Sequence, residues 1–246
     1  MLKNETATPD TGHWERHVRL LRHMALAAET RDTYTSSHLD RVSAYCRVLA
    51  TVIGLPSGRV DAIVESAPFH DIGKIGIPAS ILSNPGPLTA DERAVVQTHC
   101  AAGATLLSGT PLPVVRLAER IALTHHERWD GSGYPCRLRG EAIPIEGRIC
   151  AVADVLDALT SRRCYKSAWT MIQALFHILR GSGSQFDPAL VEAVMDTRAE
   201  LNGIHRTFAD SHPPGGWDGP ATVLRFPTVR QDTRDLCVAQ PAHLAA

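Results

Sequence analysis

The tandem His125-His126, followed by Glu127 and a glycine-rich stretch, is the pattern in this 246-residue chain hardest to explain as core packing. Two adjacent imidazoles at a helix end offer two nitrogen donors with the ligand chemistry of histidine. His70-Asp71 sets a nitrogen beside a carboxylate. Neighbouring helical residues diverge by about 100°, so this pair can aim an imidazole at one ion and a carboxylate between two. A carboxylate bridge suits cations about 3.5–4 Å apart, the spacing of two-metal hydrolytic sites. His38 and His99, each in an expected helix with polar neighbours, extend the set. Asp154 lies among Ile149, Val152, Ala153, Val155 and Leu156, where an unpaired carboxylate is costly. It either serves the same site or pairs with an arginine such as Arg148.

Helical periodicity supplies the elements that must position these groups, and the class is all-α. Trp14, Val18, Leu21, Ala25 and Ala28 form a narrow apolar stripe on a helix over about 13–30. That stripe can pack on its own domain, form a short coiled-coil seam between two protomers, or belong to a signalling helix; two heptads are too few to define a coiled coil. Further helices are expected over 35–54, 58–71, 89–107, 113–127, 146–160, 167–180 and 187–201. Thr89 and Glu92 form a capping-box signature for one of them. The segment WDGSGYPCRLRGEAIP is too rich in glycine and proline for regular helix. After about residue 205 the pattern decays into a polar tail. The expected organisation is an N-terminal helix or linker (1–30), a main domain (31–205) and an irregular tail (206–246).

Composition excludes several classes. Lys+Arg total 25 against 26 Asp+Glu, so no global basic field for DNA exists. No apolar run approaches a membrane span of roughly 20 residues, and the first residues contain no apolar signal core. The six cysteines are scattered without a CxxC pair, so reduced thiols and a cytoplasmic location are expected, with neither a disulfide framework nor a cysteine-based zinc site. The basic residues are lopsided, with 22 arginines and only Lys3, Lys74 and Lys166. An ammonium is a compact point charge where guanidinium is a planar fork, which singles out the two internal lysines.

The motifs FHDIGKIGIP (69–78) and HHERWDGSGYP (125–135), in this order, are very specific. With RDTYTSSHLDRV (31–42), THCAAG (98–103), GEAIP (140–144), RICAVADVLDALTSRRCYK (148–166) and FDPALVEAVM (186–195), the chain from about Glu29 to Met195 resembles the HD-GYP domains. These are the metal-dependent cyclic-di-GMP phosphodiesterase branch of the HD superfamily. The resemblance implies an HD-type helical bundle with a glycine-rich GYP loop and two divalent ions. His38, His70 and Asp154 would hold one ion, His99, His125 and His126 the other, with Asp71 bridging. Two cations flanking one water would lower its pKa to give a hydroxide near neutral pH. Iron comes first by resemblance, nitrogen-plus-oxygen ligation suits manganese as well, and zinc or nickel is compatible. Lys74 would act on transition-state or leaving-group charge. Arg163 and Lys166 resemble the pair that holds substrate phosphates, although a basic cluster at a helix end also suits the helix dipole. Asp157, one turn after Asp154, would orient a ligand or a lysine. Tyr134 could stack on a base, or the GYP loop could bind a diguanylate cyclase domain.

Three departures from the family pattern stand out. Tyr34 occupies the position four before His38 where members with a third metal often carry Glu, so two ions per chain are expected, with Tyr34 at the rim of the site. Arg137 stands where the family usually has Gly, and Arg163-Cys164-Tyr165-Lys166 replaces RPYK. No receiver or sensor domain is expected ahead of the matched region. The implied reaction is hydrolysis of cyclic-di-GMP to the linear dinucleotide, or on to GMP. The rivals are hydrolysis of another cyclic dinucleotide or of a phosphomonoester, and a non-catalytic effector that binds the dinucleotide or a cyclase domain.

Overall fold

The computed structural model describes residues 11–31, 37–84, 86–161, 168–208 and 237. Tyr34, Arg163 and Lys166 lie outside the described residues. Among those described, regular structure is helical apart from one isolated bridge between Ser182 and Phe186. The helices are α1 (Thr11–Glu29), α2 (Ser37–Val52), α3 (Ser57–Ser66), α4 (Ala79–Leu82), α5 (Ala90–Gln97), α6 (His99–Leu107), α7 (Pro113–Thr124), α8 (Ile145–Thr160), α9 (Met171–Arg180), α10 (Pro188–Asp196) and α11 (Arg198–Thr207). None of the described helices is long and apolar enough to cross a membrane.

Three expected helices differ in ways that matter for the site. Instead of running to 71, α3 stops at Ser66 and tightens into a 3-10 turn at Ala67–Phe69. Pro68 has no N–H to continue the α-helical ladder. His70 and Asp71 therefore lie in the short link to a second 3-10 turn, Ile72–Gly76. The single helix expected over 89–107 is two, α5 and α6, broken at Thr98. Thr89 caps α5 as expected: the Glu92 N–H donates to its Oγ1 at 3.2 Å, and the Thr89 N–H donates to Glu92 Oε2 at 2.8 Å. The last expected helix divides at Thr197 and continues to Thr207.

The main core joins α2, α3, α7, α8, α9 and α10 around fully buried Leu49, Ile121, Ile149, Leu156 and Leu190. A smaller cluster joins α1 to the ground beneath His70-Asp71, with Leu21 and Ala25 packing with Phe69, Ile72, Leu107 and Ala118. The α1 stripe is thus spent on its own domain, with Ala28 fully buried as well. Cys136 and Cys237 are joined by a disulfide across 101 residues. This corrects the expectation of reduced thiols at that pair. No local spacing could signal it, because the partners meet only through the fold.

Leu21 is 5% exposed, so Leu21→Ala should destabilise the protein by about 2–5 kcal/mol, the range for a core Leu→Ala change. Urea unfolding measures it, and a change below about 0.5 kcal/mol, typical of a surface substitution, would remove α1 from the core.

Candidate metal centre

The donor groups come from distant points of the chain. His38 opens α2, Asp154 projects from the middle of α8, His99 is the first residue of α6, and His125-His126 follow the end of α7. His70-Asp71 reach them because the 3-10 turn after Asp71 lies directly on α6. A Cβ at Gly73 would run into the His99 carbonyl and the Gly103 amide nitrogen. Glycine is required there for backbone to meet backbone. The approach leaves Asp71 Oδ1 3.1 Å from His99 Nε2.

Four of the five imidazoles are oriented the same way. His70 Nδ1 donates to the Ala67 carbonyl at 2.9 Å, His99 Nδ1 to Val96 at 2.7 Å, and His125 Nδ1 to Ile121 and Ala122 at 3.1 Å each. His38 Nδ1 donates to Asp157 Oδ2 at 2.7 Å. With the proton on Nδ1, each Nε2 carries a lone pair, the arrangement of a metal-ligating histidine. His38 Nε2 and His70 Nε2 are buried and form no hydrogen bond among the described residues. A buried nitrogen left unpaired is costly unless a cation completes it, so this donor set fits a metal.

The donors fall into two groups. Nitrogen or oxygen atoms of His38, His70 and Asp154 lie within 4.8 Å of one another, as do ligand atoms of His99, Cys100, His125 and His126. In the first group Asp154 Oδ1 stands 3.8 Å from both His38 Nε2 and His70 Nε2. The Arg148 alternative for Asp154 fails, since Arg148 donates to Asp187 Oδ2 at 2.7 Å and to the Ile143 carbonyl. Asp71 lies between the groups, Oδ2 3.3 Å from His70 Nε2 and Oδ1 3.1 and 3.6 Å from His99 and His125 Nε2. Burial would raise its pKa, but the Lys74 ammonium 2.6 Å from Oδ2, helped by His70, holds the carboxyl well below the usual range. Burial lowers the His70 pKa, yet Asp71 beside it carries the imidazole well above its ordinary value. His126 goes the opposite way, driven well below by burial and by His125 and His99.

Asp157 is fully buried and serves His38, not a lysine. Burial opposes its ionisation, but the His38 and Arg41 hydrogen bonds bring its pKa down to about 2. Arg41 Nε reaches Asp157 Oδ1 at 2.5 Å, and its Nη2 also donates to Ser161 Oγ at 2.8 Å. On the opposite side, Glu127 accepts the N–H groups of Cys136 and Leu138 at 2.7 and 3.0 Å. This folds the glycine-rich loop back under the tandem histidines, and a Cβ at Gly133 would strike the Glu127–Arg128 backbone. Tyr134 is carried onto His126, their rings stacked at 4.9 Å and 27°. Arg137 has φ 55, the only described non-glycine residue with positive φ. That left-handed conformation favours glycine, which accounts for the glycine expected there.

Three contributors carry no signal in a single sequence. Arg41 is a buried arginine inside a helix. Arg31 donates to the carbonyls of Ile75 and Ile77 at 2.6 and 2.8 Å, clamping the turn after Lys74. Glu29, 1% exposed at the end of α1, has Oε1 3.8 Å from His38 Nε2. Charged residues at such burial could have been suspected only with the fold in hand.

The geometry defines a class: a helical bundle with two groups of side chains that could each hold a metal ion and a carboxylate between them. The sequence profile described as the HD domain matches residues 22–190, and the chain belongs to that family. Its Gly133-Tyr134-Pro135 motif places it in the HD-GYP branch. It is 48% identical over 195 residues to the cyclic di-GMP phosphodiesterase response regulator RpfG of Xanthomonas campestris pv. campestris (strain 8004), matching 79% of this chain and 52% of that protein. It is 42% identical over 196 residues to the 3'3'-cGAMP-specific phosphodiesterase 2 of Vibrio cholerae serotype O1, matching 80% of this chain and 38% of that one. The chain thus spans about half, or less, of the length of these relatives. Among solved structures, the cyclic GMP-AMP specific phosphodiesterase V-cGAP3 of V. cholerae shares the fold, with a TM-score of 0.55 at 20% identity over 79% of this chain and 51% of that one.

Asp157→Asn should weaken divalent-metal affinity by about 10–100-fold, as loss of an outer partner of a ligating histidine does. Competition titration against a chelating dye measures this, and unchanged affinity would remove Asp157 from the site. Because the His70 pKa is raised, its proton competes with the metal to higher pH than an ordinary imidazole near 6.5. Affinity should therefore go on rising with pH above about 6.5 and fall below it. A flat profile would show that His70 is not a ligand.

Proposed function

We propose that the chain is a metal-dependent phosphodiesterase that hydrolyses cyclic-di-GMP to the linear dinucleotide or on to GMP. The observation that carries this reading is Asp71, one oxygen toward His70 and the other toward His99 and His125. His38, His70 and Asp154 would hold one ion and His99, His125 and His126 the second, giving two per chain. Iron is the first choice of metal and manganese the next, as imidazole and carboxylate donors allow both. When bound, the two ions supply positive charge to the phosphoryl oxygens and a nucleophile at neutral pH.

The remaining work falls to side chains. Asp71, ionised beside Lys74, keeps its two oxygens available to both donor groups. Lys74, 8% exposed, is a cation at the edge of this cluster, placed to donate to a non-bridging phosphate oxygen or to the leaving 3'-oxygen. Such positioned charge is most of what a protein contributes to phosphoryl transfer. Tyr134 on His126 forms a wall against which a nucleobase can stack, and this contact favours a role toward substrate over cyclase docking. Arg163 and Lys166 are assigned to the substrate phosphates by resemblance. The 42% identity to a 3'3'-cGAMP-specific phosphodiesterase supports that dinucleotide as the second substrate to assay.

The test is turnover of cyclic-di-GMP and of 3'3'-cGAMP by anaerobically iron-loaded protein, with products separated by chromatography. Linear dinucleotide or GMP is expected. Metal and dinucleotide binding without turnover would replace the enzyme by an effector. Asp71→Ala should abolish both hydrolysis and the two-ion stoichiometry; retention of two ions per chain would refute the bridge. Lys74→Ala should keep the metal content and lower kcat by about 10²–10³-fold, the usual loss for one donor acting on transition-state charge. An unchanged kcat would exclude it from the mechanism.

A further inference from the structure

We infer that Cys100 is a ligand of the second ion, so that this pocket is a mixed nitrogen–sulfur site selecting a more thiophilic cation than its partner pocket. The inference rests on the two-ion reading above. Cys100 is completely buried in the first turn of α6, and its Sγ lies 3.4 Å from His99 Nε2. Ligand atoms of His99, Cys100, His125 and His126 all fall within 4.8 Å of one another. Ligands on one ion at about 2.0–2.1 Å (nitrogen) and 2.3 Å (sulfur) stand roughly 3.1–3.6 Å apart for angles between square and tetrahedral. The observed separation falls inside that range. His99 Nδ1 is engaged by the Val96 carbonyl, so it is the metal-facing nitrogen that meets the sulfur.

The thiol also differs from the other free cysteines among the described residues. Cys46 and Cys150 belong to the main hydrophobic core, whereas Cys100 belongs to neither apolar cluster. Ligation replaces the S–H bond by a metal–sulfur bond and releases one proton to solvent. Imidazole with thiolate suits zinc and cobalt, while imidazole with carboxylate in the His38 pocket suits harder manganese or iron. The two ions would then be inequivalent by construction.

Cobalt(II) titration of the full chain, followed by absorption, tests this without depending on turnover. The unmodified protein should develop a near-ultraviolet thiolate-to-cobalt charge-transfer band, and Cys46→Ala and Cys150→Ala should keep it. Cys100→Ser should lose the band while retaining visible cobalt bands from the imidazole ligands. Its preference for zinc over manganese should fall by at least the roughly 10–100-fold typical of partners outside the first shell. Absence of the band in the unmodified protein, or its persistence in Cys100→Ser, would overturn the assignment. Failure to bind cobalt at all would overturn it together with the two-ion reading. A Cys100-dependent band in a protein without turnover would uphold the assignment and remove only the phosphodiesterase activity.

Discussion

Asp71 is a carboxylate placed almost out of reach of water at the meeting point of the bundle, and its charge must be matched there. An isolated buried carboxylate is costly, and breaking a buried pair leaves an uncompensated charge. The compensation comes from parts of the chain far apart in sequence: Lys74 at 2.6 Å and nitrogens of His70, His99 and His125 at 3.1–3.6 Å. Through these contacts the turn after α3 is tied to α6 and to the end of α7. Packing of the bundle therefore brings the donor set together.

Helix ends do much of the orientation. The last carbonyls of a helix have no intrahelical N–H partner, and imidazoles placed just beyond can use them. His99 takes the Val96 carbonyl from the last turn of α5, and His125 takes Ile121 and Ala122 from that of α7. His70 takes Ala67 from the 3-10 turn. These bonds, two of them from His125, engage end carbonyls and turn each Nε2 inward.

The two donor pockets are built by different means. His38 is backed by a carboxylate, Asp157, itself held by Arg41, so negative charge stands behind that imidazole. In the other pocket His99 and His125 are backed by neutral carbonyls, and the Cys100 thiol lies beside His99. A carboxylate-backed imidazole is a more basic ligand than a carbonyl-backed one. The asymmetry therefore reaches beyond the donor atoms to the groups that orient them.

Motif chemistry was legible in the sequence because it is local. His70-Asp71, the tandem His125-His126, the capping box at Thr89 and the glycine-rich loop each declare themselves within a few residues, and the periodicity of the apolar residues declares a helical protein. The amphipathic stripe of α1 records that a face is covered and not by what; Phe69 and Ile72 supply the answer. Pro68 was visible, yet where the chain would tighten into a 3-10 turn was settled by the need to lay Gly73 against α6. Arg41 with Asp157, Cys100 beside His99 Nε2, and the Cys136–Cys237 bridge belong to tertiary structure alone. Burial and partnership depend on which distant residues occupy the same volume. A single sequence reports the residue type and the local backbone preference, but carries no measure of that distance.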